Sequence, residues 1–170
     1  TTTASITRRT LTVTAAANDK TYDGNNTATV TLSDDRVTGD VLTVSRTAAT
    51  FPDKNAGTTR TVTVTGITIA GTDSGNYTQN TTATTTASIT QRLLSVTITP
   101  SNKTYDGTAS ASVSYTDNRV TGDVLAVNGT ATYSSKTAAK GKAVTVSSMS
   151  LTGTDAANYA LPSVTASANG

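Results

Sequence analysis

Lysine, asparagine, aspartate and tyrosine are the side chains here with chemistry to offer, and they recur. Lys20 and Lys103, Asn76 and Asn158, and the aspartates Asp23, Asp40, Asp73, Asp106, Asp123 and Asp155 supply the parts of a lysine–asparagine isopeptide cross-link. That bond needs a lysine desolvated enough to lose its proton. Each lysine lies in a polar turn segment, so it is expected to be exposed and protonated. The same six aspartates are the calcium candidates. A calcium ion takes about six to eight converging oxygens. No dense Asp-x-Asp run exists, and the carboxylates are far apart in sequence. Turn-capping is their expected role, with no metal and no cofactor. Tyr22 and Tyr105 suit either stacking on a ligand or filling a small core with the hydroxyl bonded at its rim; the second is expected. Asp23-Gly24 and Asp106-Gly107 then close turns. Catalysis has little to draw on. Histidine is absent, so no imidazole base titrates near neutral pH, and no paired carboxylates or phosphate-cradling glycine loop occur. The chain is expected not to be an enzyme.

The elements that carry these residues are strands. About a quarter of the 170 residues are threonine, which is β-branched, and every acid is aspartate, which prefers turns to helix interiors. Apolar residues alternate with Thr or Ser at Leu11/Val13, Val30/Leu32, Leu42/Val44, Val62/Val64, Ile67/Ile69 and a Thr-rich stretch ending at Ile89. They do so again at Leu94/Val96/Ile98, Val113/Tyr115, Leu125/Val127, Val144/Val146, Met149/Leu151 and near Val164. That period predicts sheets with one buried face and one hydroxyl-covered face. Turns are predicted at Asp23-Gly24, Gly39-Asp40 and Gly71-Thr72-Asp73, and a single helical turn at 53–57 and at 136–141. Thr61-Val62-Thr63-Val64-Thr65 is too short an array for an ice-binding face. Sequons at Asn25, Asn76, Asn80, Asn102 and Asn128 are expected by chance in so threonine-rich a chain. Cysteine is absent, so sheet pairing and core alone hold the fold. The net charge of +2 shows no basic run, which argues against nucleic acid. No stretch has the length of a membrane helix or the form of a signal peptide, so no membrane insertion is expected.

The strand pattern is one unit written twice. Lys20-Thr21-Tyr22-Asp23-Gly24 returns 83 residues later as Lys103-Thr104-Tyr105-Asp106-Gly107, and Arg36 to Leu42 returns at the same spacing as Arg119 to Leu125. Val62-Thr63-Val64 returns after 82 residues as Val144-Thr145-Val146. Gly71-Thr72-Asp73 with Asn76-Tyr77 likewise returns as Gly153-Thr154-Asp155 with Asn158-Tyr159. One residue is therefore lost between. Ala4-Ser5-Ile6-Thr7 matches Ala87-Ser88-Ile89-Thr90. Residues 1–7 thus read as the tail of a preceding repeat, 8–90 as the first module and 91–170 as the second, within a longer chain of at least three copies. The join from Ile89 to Leu93 holds no Gly, Pro or Ser-rich spacer, which predicts a semi-rigid array.

These motifs, in this order and twice over, resemble the YDG repeat family, related to the "mostly β-grasp" modules. Its signature maps onto Lys20, Tyr22, Asp23, Gly24, Asn76 and Tyr77, and onto Lys103, Tyr105, Asp106, Gly107, Asn158 and Tyr159. The second copy departs at Ser134-Ser135, where the first has Phe51-Pro52, and its aromatic shifts to Tyr133. The resemblance implies an all-β, β-grasp-like fold, with two tandem small sheet domains in an elongated arrangement. It also implies a place in large bacterial surface or secreted adhesins similar to filamentous haemagglutinin. The expected role is a spacer in an extracellular stalk. Neighbouring repeats of the same chain are its partners, and the molecule is otherwise monomeric. The alternative is that each module itself binds a host glycan, a matrix protein or a partner adhesin.

Overall fold

Alternating apolar and hydroxyl residues make a strand with one face to bury. The computed structural model, which describes residues 1–161 and the strand Ala166–Asn169, shows that face closing on itself. Val62 and Val64 are fully buried between exposed Thr61, Thr63 and Thr65, and Val144 and Val146 repeat the pattern. The chain is all-β and divides into two compact units. The first is Thr1–Thr21 with Asn25–Thr90; the second is Tyr22–Gly24 with Gln91–Gly170.

The first unit runs β1 (Arg9–Leu11), β2 (Val13–Ala17), β3 (Lys20–Thr21), β4 (Val30–Asp34), β5 (Thr43–Ser45), β6 (Ala48–Thr50), β7 (Gly57–Thr65), β8 (Thr68–Ala70), β9 (Tyr77–Gln79) and β10 (Thr82–Thr90). Its largest sheet has the order β3-β10-β7-β6. The pairing of β10 with β7 is antiparallel, from Thr82 opposite Thr65 to Ala87 opposite Arg60, with a register shift before Ile89. The end of β10 pairs parallel with β3, and β1 pairs parallel with β9. Antiparallel pairs β2–β4 and β5–β8 complete the unit. Leu11, Tyr77, Phe51, Ile67 and Ile89 join Val62 and Val64 in its core.

The second unit runs β11 (Arg92–Leu93), β12 (Val96–Pro100), β13 (Val113–Asp117), β14 (Ala126–Tyr133), β15 (Ala143–Thr152), β16 (Tyr159–Ala160) and β17 (Ala166–Asn169). β11 pairs parallel with β16, β12 antiparallel with β13, and β15 antiparallel with both β14 and β17. Tyr22, Leu94, Val144, Val146 and Tyr159 are among its most deeply buried side chains. The strand expected near Val164 lies outside the described residues.

Three sequence expectations are corrected. No helical turn forms at 53–57 or 136–141. Single 3-10 turns form instead at Ser74–Asn76 and Ala156–Asn158, directly after the Gly-Thr-Asp turns. Short local bonds close them: Asn76 N–H donates to Asp73 O and Asn158 N–H to Asp155 O. The separate strands expected at Val144 and Met149 are one, β15. The missing residue is also located. Phe51 N–H donates to Asn26 O and Tyr133 N–H donates to Ala109 O, so Tyr133 stands where Phe51 does. The deletion therefore lies upstream of Tyr133. There the first unit breaks between β5 and β6, while β14 runs on through a register shift between Asn128 and Thr130.

At two equivalent positions the backbone is left-handed in both units. Gly66 (φ 66°) corresponds to Ser148 (φ 54°), and Gly141 (φ 64°) to Thr59 (φ 51°). Each unit thus has glycine at one position and a strained side chain at the other. Ser148→Gly and Thr59→Gly are each expected to stabilise the protein by about 0.5–1 kcal/mol, the steric relief exceeding the entropy that glycine costs. Urea denaturation midpoints check this; a fall in either midpoint contradicts it.

Candidate functional site

In each unit the segment after β4 or β13 must turn back over the sheet, and an arginine clamps it. Arg36 Nε and Nη2 donate to Asp34 Oδ1 and Oδ2 at 2.7 and 2.6 Å, and Nη1 donates to Leu42 O at 2.6 Å. Arg119 repeats the fork on Asp117 and also bonds Leu125 O. The guanidinium beside each carboxyl holds Asp34 and Asp117 below the usual carboxylate range. Sequence reading passed over this clamp. Its signal was present, because Asp34-Asp35-Arg36 and Asp117-Asn118-Arg119 keep the same spacing.

The clamped loop delivers Asp40 or Asp123 to a tyrosine hydroxyl. In the first unit, Val37 N–H donates to Tyr77 Oη at 3.0 Å, and Tyr77 Oη donates to Asp40 Oδ2 at 2.5 Å. In the second, Val120 N–H donates to Tyr159 Oη at 2.8 Å, and Tyr159 Oη donates to Asp123 Oδ2 at 2.6 Å. Here a second tyrosine joins. Tyr22 Oη lies 3.0 and 2.8 Å from the two oxygens of Asp123, and its ring meets that of Tyr159 edge-on, 5.4 Å between centroids. Tyr22 is 1% exposed and Asp123 8%. Burial, and then the bond to Asp123, pushes the Tyr159 hydroxyl up to about 12. Tyr77 is raised chiefly by its bond to Asp40.

Tyr22 therefore fills the role foreseen for it, a core aromatic with a bonded hydroxyl. Tyr105 does not. It is 62% exposed, because the groups that bury Tyr22, the Tyr159 ring and the Asp123 carboxylate, have no counterpart over Tyr105 among the described residues. Gly24 packs so close to Val120 that a Cβ there would lie 2.7 Å from Cγ1, whereas nothing stands within 4 Å of the same point on Gly107.

The other predicted residues are dispersed. Asp73 Oδ2 accepts Val41 N–H at 2.8 Å and Asp155 Oδ2 accepts Val124 N–H at 2.9 Å, so each ties its turn to the opposite loop. Asp106 accepts Thr108 N–H and Lys103 Nζ, each at 2.9 Å, and these bonds hold its carboxyl at about 2. Asp23 is exposed. Among the described residues no three carboxylates converge on a metal position. Lys20 is half-buried rather than exposed, because it lies in β3 beside β10 and sends its ammonium back to Asn25 O and Thr27 O. Asn76 is exposed and Asn158 buried, each ending a 3-10 turn. A cleft of about 510 Å³ in the second unit is lined by Tyr105 and Tyr133 with Lys103, Lys136, Lys140 and Lys142.

Two units built on one plan, each with the same clamp and the same tyrosine–aspartate pair, define a tandem-repeat all-β protein. The profile of the YDG domain matches residues 7–87 and 90–166, and the chain belongs to that family. No curated protein and no solved structure matches it.

Two outcomes follow from this geometry. Gly24→Ala is expected to destabilise the second unit by about 2–3 kcal/mol, combining overpacking against Val120 with a left-handed backbone. Gly107→Ala, with open space before it, is expected to cost about 1–2 kcal/mol. Equal losses in urea titrations contradict the contact. The second outcome concerns pH. The folded pKa of Tyr159 lies above the ordinary tyrosine value of 10.0, so its contribution is complete below pH 10 and disappears as pH rises through about 12. Stability measured from pH 9 to 12 is expected to fall across that window, and to fall less steeply in Tyr159→Phe.

Proposed function

We propose that the two modules are structural spacers in the stalk of a bacterial surface or secreted adhesin, positioned to hold a distal binding region. What supports this reading is the way the first module is held at both ends and the second at its entry. In the first unit the incoming strand β1 pairs parallel with β9, and the outgoing strand β10 pairs parallel with β3. In the second, β11 pairs parallel with β16. Tension between the ends of such a pair runs along the strands and loads its hydrogen bonds together, whereas a hairpin peeled from one end breaks them singly. A single residue, Gln91, separates β10 from β11, so little slack is taken up before load reaches the next module. The hydroxyls of Tyr22, Tyr77 and Tyr159 and the carboxylates of Asp40 and Asp123 serve loop geometry. The bacterial, extracellular setting rests on the family resemblance and agrees with a threonine-rich chain free of cysteine.

One observation favours direct binding instead. The cleft around Tyr105 and Tyr133 carries four lysines, a composition suited to an acidic glycan. The two readings separate in a binding experiment. The 170-residue chain is expected to show no saturable binding on a glycan array or to immobilised matrix proteins, and pulling on its ends is expected to give high-force unfolding of both modules. Saturable binding that disappears in a Lys136→Ala/Lys140→Ala variant overturns the spacer reading in favour of the alternative.

A further inference from the structure

One cluster in the first unit is incomplete where its twin in the second is complete. In the second unit the Tyr22–Gly24 segment lies against Val120, Asp123 and Tyr159. Asp123 and Asn158 are 8% and 2% exposed there, and Gly24 is in close contact with Val120. The equivalent residues of the first unit are Val37, Asp40, Asn76 and Tyr77. Tyr77 keeps its bond to Asp40, but Val37 is 46% exposed, Asp40 is half-buried and Asn76 is exposed. These four residues line a cleft of about 390 Å³, flanked by Arg8 and Arg9. That is room enough for a tyrosine side chain.

A matching segment is present on the chain and uncovered. Tyr105-Asp106-Gly107 repeats Tyr22-Asp23-Gly24, and the backbone at Gly107 (φ 81°) reproduces that at Gly24 (φ 82°). The glycine already has the left-handed φ that the docked segment uses. Tyr105 is 62% exposed, and Gly107 has open space where Gly24 meets Val120. Asp106, ion-paired with Lys103, would bring its carboxylate to a cleft flanked by Arg8 and Arg9.

We propose that the Tyr105–Gly107 segment of one molecule docks into the Val37/Asp40/Asn76/Tyr77 cleft of a second copy. Tyr105 Oη donates to the Asp40 carboxylate as Tyr22 Oη does to Asp123, its ring sets edge-on to Tyr77, and Gly107 passes over Val37. The two surfaces differ and lie on different units, so the contact is heterologous and repeats head to tail. The monomer expected from the sequence then becomes the low-concentration limit of an open series. This inference does not depend on the role of the parent protein.

The patch is far smaller than a standard interface, so affinity is expected on the order of 0.1–1 mM. Sedimentation equilibrium and NMR titration of the 170-residue chain, taken to millimolar concentration at low salt, test it. The expected result is reversible association, with chemical-shift changes concentrated at Val37, Asn76 and Tyr105. Tyr105→Ala and Val37→Asp are each expected to weaken it at least about tenfold, and Tyr105→Phe by about three- to tenfold through loss of the hydroxyl donor. Both side chains are exposed in the single molecule, and unchanged thermal unfolding confirms that the variants fold. A mixture of the two variants retains one intact segment and one intact cleft, and is expected to stop at a one-to-one dimer. Absence of association at millimolar concentration overturns the proposal. So does association that survives Tyr105→Ala, or a mixture that behaves as its separate components do.

Discussion

A carboxylate withdrawn from water has to be met by donors, and much of this fold is arranged around that demand. Asp123 is buried, and the hydroxyls of Tyr22 and Tyr159 meet its carboxylate. An unpaired carboxylate in such a place costs several kcal/mol. Charge-assisted O–H donors are short and strong, and two of them satisfy both oxygens. Tyr159 also accepts Val120 N–H, so one hydroxyl fixes the loop backbone and the acid together. The Arg119 fork on Asp117 and Leu125 O holds the far side of the same loop. The first unit shows the same construction with Asp40, Tyr77, Arg36 and Asp34. Loop shape in each module therefore follows from two polar constellations rather than from apolar packing, which is what a chain with one phenylalanine and no tryptophan has to work with.

The second consequence is that one motif serves in two settings. Tyr22 and Tyr105 sit in the same five-residue sequence, yet one is fully buried and the other largely exposed. Local sequence sets the backbone, as the matching φ of Gly24 and Gly107 shows. It does not set burial, which depends on whether a Tyr–Asp pair lies opposite. Asn158 is likewise buried while Asn76, closing an equivalent 3-10 turn, is exposed.

The all-β class, the repeat and most long strands were legible in the sequence because a period of two with threonine between apolar residues has few other readings. Val62, Val64, Val144 and Val146 sit where alternation places them. Short strands were not legible. β3, β9 and β16 hold two or three residues and exist because a partner strand passes beside them, information no local window contains. The helical turns were misplaced for a related reason. Ser74–Asn76 and Ala156–Asn158 have no helical periodicity; they form because Asp73 and Asp155 are tied to the opposite loop through Val41 and Val124. The Asp34–Arg36 clamp was visible as a repeated spacing, but a charged pair two residues apart reads as solvated surface until the loop folds back over it. Tyr105 was misjudged because identical motifs invite identical assignments, and burial is a property of the partner.

The polarity of the tyrosine–aspartate contact carries a physical advantage in sheets of this kind. A module whose outer faces are threonine and whose edges are partly open risks indiscriminate pairing if it also offers an apolar patch for recognition. A hydroxyl directed at a carboxylate is stringent instead. A phenylalanine in the tyrosine's place leaves the acid without its donor. A tyrosine displaced along the cleft cannot reach both oxygens of Asp123 as Tyr22 does. Mismatched partners are rejected because a desolvated carboxylate is left unpaired, a penalty larger than the gain from burying one ring. Docking of this kind is weak when a copy arrives from solution.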